Sequence, residues 1–467
     1  MAESTSIAGE ELVRHVDALT RAKSQDHSDL ETWDKYYEGR SAEIQQFLSH
    51  ALKIASNHRL KEVIINWHRL VVDSLEERLD VEGFRINHQT SDDLWRIWQA
   101  NDLDEQSQQA HVDALALGRS YAIAGTNDDP DEPPVVTVES AMQVYAHHDP
   151  RTRKVTKAIK RWRDDDDREN VTLYLPNETL WLIENTRKTN ATPWTLVNQD
   201  DHNLGEVPVV PFLNRHRILD TSGVSELVDI APLANAACKI ATDMMTSAEF
   251  HAMPRRWLVS RRPLELVDKN GRPLNNDEQL AGSATHYPVA PDELTIGQFK
   301  ESDLRNFHET INALTRVVAA LAGLPPHFLG YSDSNPASAD AIRSAETRLI
   351  KRAERRQRIF GGSWERVMRL ALRMSNYEVP DRMETLETIW RDAATPTVAQ
   401  KADATVKLYS AGIVSLRQAR QDMQYTPPQI TQMESDDQDA TARILAGDFD
   451  SLVGPKPAPD EPAAISQ

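Results

Sequence analysis

The stretch that decides the fold runs over residues 323–372. It opens with Gly323-Leu324-Pro325-Pro326, passes through Tyr331-Ser332-Asp333-Ser334-Asn335, and enters an arginine-rich segment at Pro336-Ala337-Ser338-Ala339-Asp340-Ala341. The glycine and the two prolines end a preceding apolar helix, because neither residue type continues one. Asn335 suits an N-cap and Pro336 the first helical position, so a second helix starts there. Its apolar line is Ile342, Ala345, Leu349, Ala353, Phe360, Trp364, Val367 and Leu370, and Gly361-Gly362 should weaken or kink it. Between residues 343 and 373 there are ten Lys/Arg and three Glu. Arg348, Arg352 and Arg355 either contact phosphates directly or pair with acidic groups on neighbouring elements; the acidic balance of the chain favours pairing. Nothing here resembles catalytic machinery. Two rigid helices joined by a small-residue loop make a positional device.

Upstream, residues 225–253 read as a helix in which Ala234, Ala237, Ala241, Met244 and Ala248 recur at steps of three and four. That small-residue face lets a neighbouring helix approach closely. Pro232 is tolerable only near the start, and Pro254 ends the helix. Residues 255–292 are irregular and begin basic, with Arg255, Arg256, Arg261 and Arg262. Another long helix follows, with Leu304, Phe307, Ile311, Leu314, Val318 and Leu321 at alternating steps of three and four, the seam of a helix packed nearly parallel to a partner. A rise of ~1.5 Å per residue gives it a length on the order of 30 Å. Two long helices flanking a compact excursion suit a stalk with a tip.

Residues 10–125 are predicted to be mainly helical. Trp33-Asp34-Lys35-Tyr36-Tyr37-Glu38-Gly39 closes one helix, Trp67, Leu70, Val71 and Leu75 mark a second, Trp95 and Trp98 a third, and Gly118 ends a fourth. From about 119 to 215 the pattern turns to short strands, among them 121–124, 135–138, 158–162, 171–175 and 179–183, half wet and therefore antiparallel. Asp164-Asp165-Asp166-Asp167 reads as a solvated hairpin tip rather than a metal cluster, and His147-His148-Asp149 likewise does not read as a metal site. Residues 388–390 form a strand, two short helices lie around Gly412, and the acidic, Pro-rich end of the chain is expected to be disordered.

The bulk numbers narrow the function. The 467 residues exceed one ordinary core and carry 72 acidic against 53 basic residues, a formal charge of −19. A chain this acidic does not wrap a duplex, so DNA, if a partner, must be handled loosely. One cysteine, Cys238, leaves no intrachain disulfide framework and fits a reducing compartment. No secretory signal is evident and the longest apolar run is far short of the ~20 residues that span a bilayer, so a soluble intracellular protein is expected. Phosphate-loop, H-E-x-x-H, C-x-x-C and G-x-S-x-G patterns are all missing, which argues against an enzyme and against a metal or other cofactor.

In their order along the chain, several segments resemble the portal proteins of tailed bacteriophages of the siphovirus type. They are Tyr36-Tyr37-Glu38-Gly39, the NWHRLVVDSLEERLDVEGF stretch at 66–84, the DALALGRSY stretch at 113–121, Val207-Pro208-Val209-Val210-Pro211-Phe212, Gly223-Val224-Ser225-Glu226-Leu227 and, most specific of all, 323–372. The resemblance implies an α+β, portal-type fold. Its parts are a mainly helical wing with an antiparallel β part (1–224), a first stem helix (225–253), a clip (254–292) and a second stem helix (293–322). After these come a tunnel-loop region (323–338), a kinked tunnel helix (339–378), a wing strand (379–394), a short helical crown (395–428) and a tail (429–467).

The same resemblance implies a dodecameric ring at one capsid vertex, through which double-stranded DNA is packaged and ejected. Partners would be the terminase large subunit, the major capsid and scaffolding proteins, and the head-tail adaptor, with no membrane. Tyr331, Ser332, Asp333, Ser334 and Asn335 would face DNA. Arg348, Arg352 and Arg355 would lie on the tunnel helix, held by acidic neighbours across the ring. Leu304, Phe307, Ile311, Leu314, Val318 and Leu321 would pack the stem, and Arg255, Arg256, Arg261 and Arg262 would sit in the clip. Twelve chains at −19 sum to about −228 before screening, a wall along which phosphates slide rather than bind. The alternative is a head-assembly scaffold or adaptor without a channel.

Overall fold

A computed structural model of the chain describes residues 2–49, 61–87, 89–127, 129, 131–185, 193–252, 256–260, 294–298, 304–330, 339–375, 382–394, 398–423, 425 and 427–445. The chain is a mixture of helices and antiparallel sheets, and every strand pairing described is antiparallel.

The N-terminal part opens with α1 (Ala2–Tyr37) and the one-turn α2 (Ser41–Ile44), followed by α3 (Trp67–Glu76), capped by the Asn66 side chain. Next come β1 (Val81–Ile86), β2 (Gln89–Thr90), α4 (Asp92–Ala100) and α5 (Leu103–Ala116). Gly39 and Gly118 stop α1 and α5 in left-handed backbone, φ +73° and +89°, which only glycine adopts at little cost.

The β region holds two sheets. Strands β3 (Arg119–Gly125), β4 (Val135–Ser140) and β10 (Val209–Leu213) make one, in the order β10-β3-β4. A five-stranded meander makes the other: β5 (Val144–His148), β6 (Val155–Arg163), β7 (Glu169–Tyr174), β8 (Thr179–Glu184) and β9 (Trp194–Asp200). Asp164 to Asp167 form the β6–β7 turn, where the Asp164 carboxylate accepts from the backbone of Asp166 and Arg168.

Helix α6 (Ala231–Ala252) lies along α7 (Arg305–Ala322), and between them β11 (Arg256–Ser260) pairs with β12 (Leu294–Gln298). Both long helices are shorter than the sequence pattern predicts. The backbone of 225–230 does not enter α6 because it is spent elsewhere: the Glu226 N–H donates to Leu115 O at 2.9 Å and the Ser225 hydroxyl to Ala116 O, capping the end of α5. Pro232 then falls at the second helical position. At the other helix, Leu294-Thr295-Ile296 alternates apolar and β-branched residues and forms a ladder with Leu258 and Ser260 instead of a first helical turn.

Helix α8 (Ala339–Met374) runs unbroken for 36 residues, and β13 (Glu387–Trp390) pairs with β1 in the register Phe84↔Thr388. The main core gathers around α8: Phe360, Trp364, Val367, Met368 and Ala371 are fully buried, with Trp98, His111, Phe212 and Leu227 against them. Smaller apolar clusters tie α1 to the meander through Val16, Leu19 and Leu30.

Last come α9 (Val398–Ser410), α10 (Leu416–Asp422) and α11 (Pro427–Leu445). The expectation of disorder from 429 onward is corrected over 429–445. Pro427 and Pro428 start a helix as first-turn prolines do, Ile430 is buried, and Arg420 and Arg417 on α10 pair with Asp437 and Glu434 at 2.7 and 3.4 Å.

Candidate functional site

The arginines of α8 are placed by its start-to-middle segment, which passes both the end of α7 and the 214–226 loop. That loop is set by a tight crossing. Gly118 and Gly223, φ +89° and +83°, approach so closely that a Cβ on Gly118 would meet the Val224 backbone at 3.0 Å and one on Gly223 would strike Gly118 O. Across it, Asn214 N–H donates to Gly118 O and Val224 N–H to Asn214 O, both at 2.9 Å. The result is a carboxylate, Glu226, delivered into the interior.

Three of the chain's basic side chains meet it. Arg352 and Arg356, one turn apart on α8, both form ion pairs with Glu226, whose side chain is 3 % exposed; the His216 ring lies 3.5 Å from the same carboxylate. Asn214 Nδ2 donates to Glu226 Oε1 at 3.1 Å. Burial alone would push the Glu226 carboxyl up, but the charges of Arg352 and Arg356 outweigh it and hold the group well below the usual carboxylate range. Burial lowers His216, and the two arginines add to that against the pull of Glu226.

Arg348 does something different. Its guanidinium donates to Ala320 O in the last turn of α7, and its side-chain carbons lie 3.2 Å from where a Cβ on Gly323 would sit. Gly323 ends α7 at φ +67° and donates to Ala319 O, so a cation closes the negative end of that helix. Arg355 is exposed and, among the described residues, has no ion-pair partner. The three arginines thus occupy three different settings.

Gly361-Gly362 does not interrupt α8. A Cβ on Gly361 would meet Trp390 Nε1 at 3.0 Å, and Thr388 Oγ1 donates to Gly361 O at 3.2 Å, so the missing side chain lets β13 lie against the helix. Beneath it, Trp364 Nε1 donates to His111 Nε2 at 3.0 Å, while His111 stacks on Phe360 with ring centroids 5.3 Å apart. Burial holds His111 neutral, at about 3.

On α7, Val318 is buried, Ile311 and Leu314 are half-buried against the main core, Phe307 is half-buried, and Leu321 is 48 % exposed. Leu304 precedes the helix as its cap residue. In the chain taken alone, the buried face is completed by Thr315, Ala319 and Ala322 rather than Leu321. Tyr331, Ser332, Asp333, Ser334 and Asn335 lie outside the described residues, as do Arg255, Arg261 and Arg262. Arg256 starts β11 opposite Gln298.

Sequence reasoning missed Glu226, Arg356 and His216. The signal for the arginines was their i, i+4 spacing beside the apolar line; for Glu226 it was a single carboxylate between two apolar segments. Among the described residues no group of three or more His, Cys, Asp or Glu is placed to hold a metal ion, and no helix is long and apolar enough to cross a membrane.

These features define a mixed helix and antiparallel-sheet protein whose conspicuous charges join distant elements to one another. The chain belongs to the phage portal proteins of the SPP1 Gp6-like family, whose profile matches residues 17–441. It is 38 % identical over 397 residues to the portal protein of Mycobacterium phage D29, covering 82 % of this chain and 80 % of that one. To the portal protein of Mycobacterium phage L5 it is 36 % identical over 442 residues, covering 90 % and 86 %. Among solved structures it is similar to chains in the neck of an empty gene transfer agent particle, computed with C6 symmetry, and of a native one, computed with C12 symmetry. Both show 14 % identity and a TM-score of 0.43; the coverage is 77 % of this chain and 89 % of the first, 79 % and 96 % for the second.

Proposed function

We propose that this portal-family chain forms a closed ring of twelve copies at one vertex of a capsid, and that double-stranded DNA passes through its axis during packaging and ejection. The observation that carries the reading is the order of α6, the β11–β12 ribbon, α7 and α8. Two helices packed along each other hold a two-stranded ribbon between them, and the second leads through Gly323 into a helix of 36 residues anchored in the core. Residues 231–252 and 305–322 act as the stem, with the excursion between them as the clip, where the terminase motor and later the head-tail adaptor dock. The segment before α8 faces the DNA, α8 is the tunnel helix, β13 belongs to the wing, and 398–422 form the crown.

In this reading the protein works mechanically and catalyses nothing. Its place is the virion vertex, after assembly with capsid and scaffolding proteins in the host cytoplasm. Glu226, by holding Arg352 and Arg356 in ion pairs inside the subunit, keeps both arginines from gripping the DNA that passes. Native mass measurement with electron microscopy tests this. Twelve chains of 52.7 kDa give a particle of about 630 kDa with an axial opening. Solitary compact particles, or an assembly with no opening, would leave the scaffold or adaptor reading standing instead.

A further inference from the structure

A cleft lies between the β5–β6 hairpin, strand β10, the 215–222 loop and the second half of α8. It consists of two adjoining cavities of about 680 and 450 Å³ that share His148, Arg153, Leu213 and Arg215, with Arg366 lining the larger. Many arginines of this acidic chain face a carboxylate, as Arg78 faces Glu346 and Arg161 faces Glu169. Arg153, Arg215 and Arg366 do not: none forms an ion pair among the described residues. Arg366 donates to Gly362 O and Ser363 Oγ at 3.2 and 3.3 Å, and Arg215 reaches Thr221 O at 3.4 Å. Arg215 Nε and His148 Nε2 are buried with no partner.

The nearby carboxylates are occupied. Glu206 pairs with Arg373, and Asp149 accepts from the Arg151 backbone and the Thr152 hydroxyl within its own turn. Burial and then Arg153 lower the Arg215 guanidinium from the usual arginine range; partial desolvation with the charges of Arg215 and Arg369 lowers Arg366, against the pull of Glu365 and Glu206. Glu365 and Glu206 offset only part of this at Arg366, so positive charge is concentrated here on a chain that carries −19.

Beside this charge sit two apolar side chains held outward. Ile218 and Leu219 are 80 % and 78 % exposed, on a loop fixed by Asp220, which accepts from the His216 and Arg217 backbone at 3.2 and 2.7 Å. A preformed loop that presents large apolar groups to water gains nothing for the chain alone.

We propose that this cleft is an inter-subunit socket, in which a carboxylate-bearing and partly apolar surface of a second copy of this chain meets Arg153, Arg215 and Arg366 and covers Ile218 and Leu219. The inference rests on the proposed ring and names a contact that such a ring needs. Copies related head-to-tail must match two different patches, and a strongly acidic body facing a confined basic socket supplies the match. DNA is the poorer occupant, because a duplex offers its phosphates on a convex rod, whereas this cavity admits side chains and is lined by Val207, Val209, Leu213 and Leu370 as well as by arginines.

The test uses the full chain carrying Arg215→Glu with Arg366→Glu, and separately Ile218→Ser with Leu219→Ser. Native mass and thermal unfolding are read beside wild type. The concentration needed for ring formation should rise at least tenfold in both variants, with the folded chain retained, no intrachain ion pair among the described residues being lost. Should the charge-reversed chain unfold, Arg215→Gln with Arg366→Gln is judged by the same criterion. Wild-type rings accompanied by normal variant rings overturn the socket alone. Normal variant rings that retain DNA less well assign the cleft to nucleic acid and also overturn it. A wild-type chain that stays monomeric overturns the ring reading and the socket together.

Discussion

Glu226 and Arg356 meet in the interior of the chain with side chains 3 % and 5 % exposed, joining the loop before α6 to the middle of α8. Arg352 shares the same carboxylate, so one negative charge stands against two positive ones, and removing it leaves both arginines uncompensated. Replacing Glu226 by Ala should therefore destabilise the chain by roughly 3–5 kcal/mol, the usual cost of breaking a buried pair from one side. Denaturant titration of wild type, Glu226→Ala and the double variant with Arg356→Met checks it. The double variant should recover part of the loss, and equal destabilisation in both would mean that the pair is not coupled.

Acid should weaken the fold in a defined window. Burial depresses His68 and His148 to about 4 and His111 to about 3, whereas an unfolded histidine titrates at about 6.5. As pH falls from there, the unfolded chain takes up protons first, so stability drops through pH 6 and 5 until the folded groups also protonate. Glu76 has the opposite sign. Its buried Oε1 lacks a partner, and burial with the neighbouring charges of Asp80 and Asp73 raises it to about 7, so its contribution is lost as pH rises from ~4.5 to 7. Glu76→Gln should raise stability at pH 7.5 by about 1–2 kcal/mol and make the acid loss steeper. Unfolding midpoints that stay level from pH 7 to 4 would contradict the histidine assignment.

The two leucines of α7 separate folding from assembly. Leu314 is half-buried against the main core, while Leu321 is 48 % exposed in the single chain. Leu314→Asp forces a charge toward that core and should cost stability on the order of 2–4 kcal/mol. Leu321→Asp should leave monomer stability within about 0.5 kcal/mol and act only on ring yield. Thermal unfolding of dilute protein distinguishes them; equal loss from both would place Leu321 inside the subunit.

Much of the architecture was legible because it rests on local rules. Gly39, Gly118 and Gly323 marked helix ends, and each has positive φ. The small-residue face of α6 was legible for the same reason, since Ala234, Ala237 and Ala241 repeat at helical spacing and are buried. Glu226 was not, because its partners lie 126 and 130 residues away and no local pattern encodes a pairing of that range. The end of the chain misled for a related reason. An acidic composition suggested disorder, yet residues 427–445 form a helix whose Ile430 is buried and whose Glu434 and Asp437 pair with arginines on 416–422.

Between the two rigid helices, Ser334 and Asn335 are small and uncharged, which suits a segment that touches DNA without holding it. Ser334→Trp or Asn335→Arg should impair DNA packaging several-fold while ring yield, read by native mass, is unchanged. Packaging at the wild-type rate would remove this segment from the DNA path.

Adjacent glycines in α8 provide the sharpest contrast. Helix propensity alone says that replacing either by Ala stabilises the helix by about 0.5–1 kcal/mol, because glycine loses more backbone freedom on folding. A Cβ at Gly362 would meet nothing within 4 Å, so Gly362→Ala should show that gain. A Cβ at Gly361 would meet Trp390 Nε1 at 3.0 Å, with Thr388 Cβ and Trp390 Cε2 at 3.7 Å, so the side chain of β13 must give way. Gly361→Ala should lose most of the propensity gain, and Gly361→Leu should cost about 1–3 kcal/mol through overpacking. Tryptophan fluorescence would report the displacement of Trp390 in Gly361→Leu and its absence in Gly362→Ala. If both positions respond alike, the close approach of β13 to this helix is not what glycine serves there, and backbone flexibility of α8 becomes the better explanation of the pair.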